Sequence, residues 1–347
     1  MTSMAASLLA CTKVITMVLA ARSEFEVDEC EMRTELLQSS AVLSQARTQT
    51  YATHTQDAQL TVHDTGHLQP HKTSLQVPKP LYWVHVAKCN SGFARSALFL
   101  PGMCQNMSNS TRANLTDELL ASTAPVGDLV RAGMWIEDEC PGDITDFRNL
   151  GIGWGDHSGI GSIYESIKGE AMIILRQPEQ RLISAYYNFQ NSWPTYLLGR
   201  EANDILEFAS VVGGCATKML TRSQTASKAS HYTSACGDPH CISEQESQVA
   251  IARLREGFAF VGTIERYDVS VCLLHAMFGG ECTSLELGNS HSKSNGSLYD
   301  TSELQGWQDV YDRALYAEAQ TILEKNIGLY GVTDASCQAC WAAASSL

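Results

Sequence analysis

The chain has 347 residues, 44% of them apolar, and a formal net charge of −14. That length and apolar content can supply a sizeable core for one large α/β domain with a tail, or for two domains. The acidic balance argues against nucleic acid or a membrane surface as a general partner, because the overall field repels polyanions.

In chain order, residues 4–21 are mostly apolar with Lys13 as the one interruption. They reach the low end of a membrane span, so residues 1–21 read as a signal anchor or a cleaved signal peptide ending near Ala20-Ala21-Arg22. Residues 22–80 are rich in Ser, Thr, Gln and His, with a short helical pattern over 31–43, and end in Val77-Pro78-Lys79-Pro80. Such a composition buries little apolar surface, which predicts a low-order stem. The main domain is then expected over 81–335. Within it the pattern predicts a strand at 81–87, a helix from about 92, a loop-rich stretch over 101–150, a strand at 171–175 and a helix at 178–190. A strand at 258–262 and helices at 267–278 and 302–328 follow. Residues 336–347 form a cysteine-containing tail.

Twelve cysteines suit an oxidising compartment, and the close pairs Cys236 with Cys241, Cys272 with Cys282 and Cys337 with Cys340 predict short disulfide loops. Cys337-Gln338-Ala339-Cys340 has the spacing of half a zinc site, but no second such pair completes four ligands, so no metal is expected. Asn106, Asn109, Asn114 and Asn295 each begin an Asn-x-Ser/Thr acceptor, which fits a lumenal surface.

Strands separated by helices and long connections imply a mainly parallel sheet, whose ligands sit beyond the C-terminal strand ends. Two basic residues fall there. Lys88 follows the first strand in Trp83-Val84-His85-Val86-Ala87-Lys88-Cys89-Asn90-Ser91-Gly92-Phe93, a turn that offers backbone N–H groups and one cation to a phosphate or sulfate. Arg176 ends the second in Ile173-Ile174-Leu175-Arg176-Gln177-Pro178, with Arg181, Ser184, Tyr186 and Tyr187 beyond it. Pro178 is preorganised for a first helical turn, and Arg176 and Ser184 can converge on one anion.

The Lys88 turn resembles the 5′-phosphosulfate loop of Golgi carbohydrate sulfotransferases (PKTGSS or PKTGGT), and Arg176 to Tyr187 resembles their 3′-phosphate motif (RDPxxRxxSxYY). Phe260-Val261-Gly262-Thr263-Ile264-Glu265-Arg266, running on to Ser270 and Leu274, is similar to the family's FVGxxERxxxSxxLL passage. The three motifs stand in the family's order, and the likeness extends to the heparan sulfate and uronyl 2-O-sulfotransferases and to related algal-type enzymes. It implies a P-loop-like sulfotransferase fold, with a central mainly parallel sheet flanked by helices. The implied activity is transfer of a sulfuryl group from 3′-phosphoadenosine 5′-phosphosulfate (PAPS) to a glycan hydroxyl. It further implies a single-pass type II protein of the Golgi membrane with a lumenal catalytic domain, touching the membrane through its anchor only.

The resemblance also distributes roles. Lys88 would sit against the bridging oxygen and 5′-phosphate, with Cys89, Asn90, Ser91, Gly92 and Phe93 completing the loop. Arg176 and Ser184 would take the 3′-phosphate. His157, just ahead of the second strand, falls where the 2-O enzymes carry a catalytic histidine and is the expected base, with Asp156, Glu137, Asp138 and Glu139 as rivals. Lys218 matches a basic position facing the acceptor groove, and Lys293 lies in a stretch like the late loop that closes over the nucleotide. Three positions depart from the family: Cys89 stands for Thr, Asn90 for Gly and Gln177 for Asp. That departure keeps a second reading open, a non-catalytic lumenal glycan-binding protein on a degenerate sulfotransferase fold. A P-loop nucleotide kinase would need GxxxxGK[ST], a string the chain lacks.

Overall fold

The computed structural model describes residues 74–107, 140, 142–145, 159–189, 201–223, 235–238, 240–280, 282–287 and 298–344. His157, Asp156, Glu137, Asp138, Glu139 and Lys293 lie outside these residues, as do the 4–21 segment, Asn109, Asn114 and Asn295. Apart from residues 240 and 241, the described residues belong to one compact unit.

Its centre is a sheet of four strands, β1 (Leu81–Val84), β2 (Ile144–Thr145), β3 (Ala171–Leu175) and β4 (Phe258–Thr263), in the order β2-β1-β3-β4 with every pair parallel. All five residues of β3 are buried, as expected of an inner strand covered on both faces. The chain leaves β1 toward β2 on one side, then crosses back over β1 to lay β3 on the other. This reversal of direction makes the β1/β3 boundary a topological switch point, the place where open parallel sheets bind ligands at their C-terminal edge.

The connections are helical: α1 (Tyr164–Ile167) precedes β3, and α2 (Pro178–Phe189), α3 (Ile205–Val212), α4 (Cys215–Thr221) and α5 (Glu244–Gly257) join β3 to β4. Then come α6 (Tyr267–Phe278), α7 (Ser284–Leu287), α8 (Val310–Tyr330) and α9 (Asp334–Ala344). The main core joins the sheet to α5, α6 and α8, and a satellite core of Ala87, Leu182, Ile183, Phe208 and Val212 sits between the β1 turn, α2 and α3.

Three expectations are corrected. The first strand stops at Val84 rather than 87, because Val86 and Ala87 owe their apolar character to burial under the turn and not to ladder pairing. The helix from about 92 is a 3-10 helix, Ser91–Phe99. The helix expected at 302–328 is two elements, a 3-10 turn at Thr301–Leu304 and α8, parted where Gln305 and Gly306 take φ of 49° and 88°.

Between described residues, four disulfides join Cys104–Cys140, Cys215–Cys236, Cys272–Cys337 and Cys282–Cys340. None of the expected short loops forms. Cys337 and Cys340, one helical turn apart on α9, instead reach two different partners and tie the tail to α6 and to the start of α7. Cross-links spanning 65 and 58 residues restrict the unfolded chain more than the short loops would.

Candidate functional site

The turn after β1 is held by its own backbone. Cys89 donates its N–H to Val86 O at 3.0 Å, and Phe93 donates to Asn90 O at 3.2 Å. Lys88 and Asn90 both take left-handed backbone conformations, with φ of 66° and 58°. Asparagine tolerates that region because its short amide bonds locally, and Asn90 Oδ1 accepts the Gly92 N–H at 3.0 Å. The Asn90 amide also meets the hydroxyl of Tyr267, which donates in turn to Glu286 O at 2.9 Å. The N–H groups of Cys89, Gly92 and Phe93 are all bonded within the turn.

Phe93 anchors this turn from below. Its ring is fully buried, 5.5 Å from Phe260 and 6.0 Å from Tyr267 between centroids. The Phe93 side chain therefore belongs to the core, and its N–H is already bonded within the turn. Cys89 is a buried free thiol. Burial pushes its pKa up to about 12, against the pull of the nearby Arg181 and Arg176 guanidiniums and of the Arg176 N–H. A thiol so held is protonated and inert near neutral pH.

Arg176 follows β3 directly and lies half-buried, its guanidinium 5.4 Å from the Tyr299 ring centroid. Gln180 clasps the backbone of Tyr299 through both ends of its amide, at 2.9 and 2.7 Å. Gln177 accepts the Gln180 N–H at 2.7 Å and so caps α2, ahead of Pro178 at the first helical position. Its own N–H goes to Glu265 at 2.9 Å, and the other oxygen of Glu265 receives the Tyr316 hydroxyl at 2.6 Å. Ser184 is buried on α2. The segments after β1, β3 and β4 thus converge around Cys89, which feels Arg176, Arg181 and Glu265 together.

Arg181 is 1% exposed and faces Asp312 at 3.4 Å and Asp309 at 3.8 Å. The same two aspartates cap α4: Asp309 accepts Gly214 N–H at 2.8 Å, and Asp312 accepts those of Ala216 and Thr217 at 3.0 and 2.8 Å. Gly214 permits this close approach with a φ of 69°, where a Cβ would strike Ile242. Burial raises the pKa of Asp309, as does Asp312, while Arg181 opposes the shift. Lys218 looks onto this pair from α4. It is almost wholly buried, and burial, helped by Arg222, lowers its pKa to about 8 although Asp238, Asp309 and Asp312 pull the other way.

Of the residues singled out in the sequence, the fold brings Lys88, Cys89, Asn90 and Gly92 to one side of the switch point and Arg176 to the other. Lys218 adjoins the aspartate pair that holds Arg181, not the turn itself. Sequence reasoning missed Tyr299, Tyr316, Asp309 and Asp312. Asp309-x-x-Asp312 carried a readable signal, since Asp309 Oδ1 accepts the Asp312 N–H at 3.1 Å as a helix N-cap.

No family model, no curated protein and no solved structure matches this chain.

Proposed function

We propose that this chain is a Golgi carbohydrate sulfotransferase with the P-loop-like fold of that family, moving a sulfuryl group from PAPS to a glycan hydroxyl. The observation that supports it is the position of the Lys88 turn and of Arg176 at the C-terminal ends of β1 and β3, on the two sides of the switch point.

Sulfuryl transfer requires in-line positioning, cations on the developing charge and a base for the acceptor hydroxyl. Lys88 neutralises the leaving 5′-phosphate. Arg176 presents two parallel N–H groups to the 3′-phosphate, a fork that lysine cannot reproduce, with Ser184 adding a hydroxyl. His157 takes the acceptor's proton and Lys293 serves the nucleotide, while Lys218, expected to face the acceptor, is instead buried beside Asp309 and Asp312. The disulfides and the exposed Asn106 acceptor fit a lumenal domain behind an N-terminal type II anchor.

A specific observation favours the second reading, a lumenal glycan-binding protein without catalysis. Asn90 Oδ1 already occupies the Gly92 N–H that a phosphate would take. Transfer of radiolabelled sulfate from the donor to a panel of neutral, uronic and sulfated glycans separates the two. The sulfotransferase reading predicts incorporation that disappears in Lys88→Ala, whereas glycan binding without incorporation supports the second.

A further inference from the structure

Arg95 lies on the Ser91–Phe99 helix, three residues beyond Gly92. In a 3-10 helix side chains three apart eclipse one another, and Cα–Cβ bonds of right-handed helices lean toward the N-terminus. Arg95 therefore overhangs a residue with no side chain and leans back toward the turn of Lys88 and Asn90. It is 4% exposed, and its Nε and Nη2 are sealed from solvent with no hydrogen-bond acceptor. Among the described residues Arg95 makes no ion pair. Tyr267 is its electrostatic neighbour, and that hydroxyl is committed to Glu286 O and the Asn90 amide. The adjacent Ser96 hydroxyl is likewise buried without a partner.

A buried guanidinium lacking an acceptor is strongly unfavourable, and folds keep such a group where an anion completes it. The position adds a second argument: the N-terminus of this nine-residue helix favours negative charge. We propose that Arg95 is an anion-binding residue, holding the oxygens of a phosphate or sulfate group placed at the start of the Ser91–Phe99 helix. The inference rests on the sulfotransferase reading for the identity of that group, the phosphosulfate end of the donor, though not for the presence of an anion.

The test is calorimetric titration and thermal unfolding of the full chain, wild type and Arg95→Met, with inorganic pyrophosphate, sulfate and 3′-phosphoadenosine 5′-phosphate. The expected result is that Arg95→Met melts no lower than wild type without anion, yet binds the anions at least ~10-fold more weakly, as for loss of one charge-assisted contact. Arg95→Gln, which keeps length and polarity, should lose affinity similarly and serves if the Met variant does not fold. A variant that melts lower but binds like wild type makes Arg95 a packing residue and overturns the proposal, as does a wild type that binds none of the three. Pyrophosphate binding that needs Arg95, without nucleotide binding, upholds Arg95 and defeats the donor reading. Equal nucleotide binding by wild type and variant does the reverse.

Discussion

The turns that follow β1 and β3 both carry a basic residue to the switch point, but different parts of the molecule hold them. The β1 turn is held largely by its own bonds, Asn90 to Gly92 and Phe93 to Asn90, with the Tyr267 hydroxyl meeting Asn90 and the Arg176 N–H meeting the Cys89 thiol from other elements. The β3 turn is held from outside, with Gln177 on Glu265, Gln180 on Tyr299 and Arg181 on Asp309 and Asp312. A turn held chiefly by local bonds keeps its shape through its own residues, here Asn90 and Phe93. An externally braced turn binds its function to the stability of the whole domain.

The largest effect should come from removing that bracing. Asp312→Ala strips Arg181 of its nearer counter-ion and leaves two α4 N–H groups uncapped, so urea unfolding should show a loss of about 3–5 kcal/mol, as when one partner of a buried pair is removed. The matching change in the locally held turn, Lys88→Ala, should leave stability within ~0.5 kcal/mol while turnover falls at least ~100-fold, the size of losing one preorganised charge.

Lys218 tests the braced side through pH. Its folded pKa, about 8, lies below the ordinary 10.5, so between those values the unfolded chain binds more protons and stability rises with pH. The rise from this group should be on the order of 2–3 kcal/mol. Cys89 works oppositely, since a thiol raised to about 12 loses stability once the unfolded thiol ionises near pH 9. The difference between wild type and Lys218→Met in urea unfolding at pH 7.5 and 10 isolates the lysine. A variant whose stability tracks wild type at both pH values would contradict its burial as a cation.

The smallest effect is expected at Asn90. Asn90→Gly keeps the left-handed backbone, frees the Gly92 N–H for a ligand and should tighten nucleotide binding a few-fold, for about 0.5–1 kcal/mol of stability given up to glycine's flexibility. Weaker binding would mean that the asparagine amide itself contacts the ligand.

Much of this arrangement was legible beforehand because it rests on local pattern. Ala171 to Leu175 is an uninterrupted apolar run before a basic residue and a proline, and it is a strand. The 267–278 helix keeps its expected limits. β2 was invisible because two residues, Ile144 and Thr145, carry no period. α5 was missed although Ser243 and Glu246 spell a helix start, with Ser243 Oγ accepting the Glu246 N–H at 3.1 Å. Disulfide partners depend on which helices meet, so spacing misassigned Cys236, Cys272 and Cys340. Arg95 was unreadable for the same reason: it looks like a surface charge until the fold encloses it.

The most direct test of the central claim is calorimetric titration of 3′-phosphoadenosine 5′-phosphate into the wild-type protein and Arg176→Ala. Two turns forming one donor site predict saturable binding by wild type and at least ~10-fold weaker binding by the variant, from loss of a bidentate contact. Folded wild-type protein that fails to bind the nucleotide, or an Arg176→Ala variant that binds it equally well, would contradict the account.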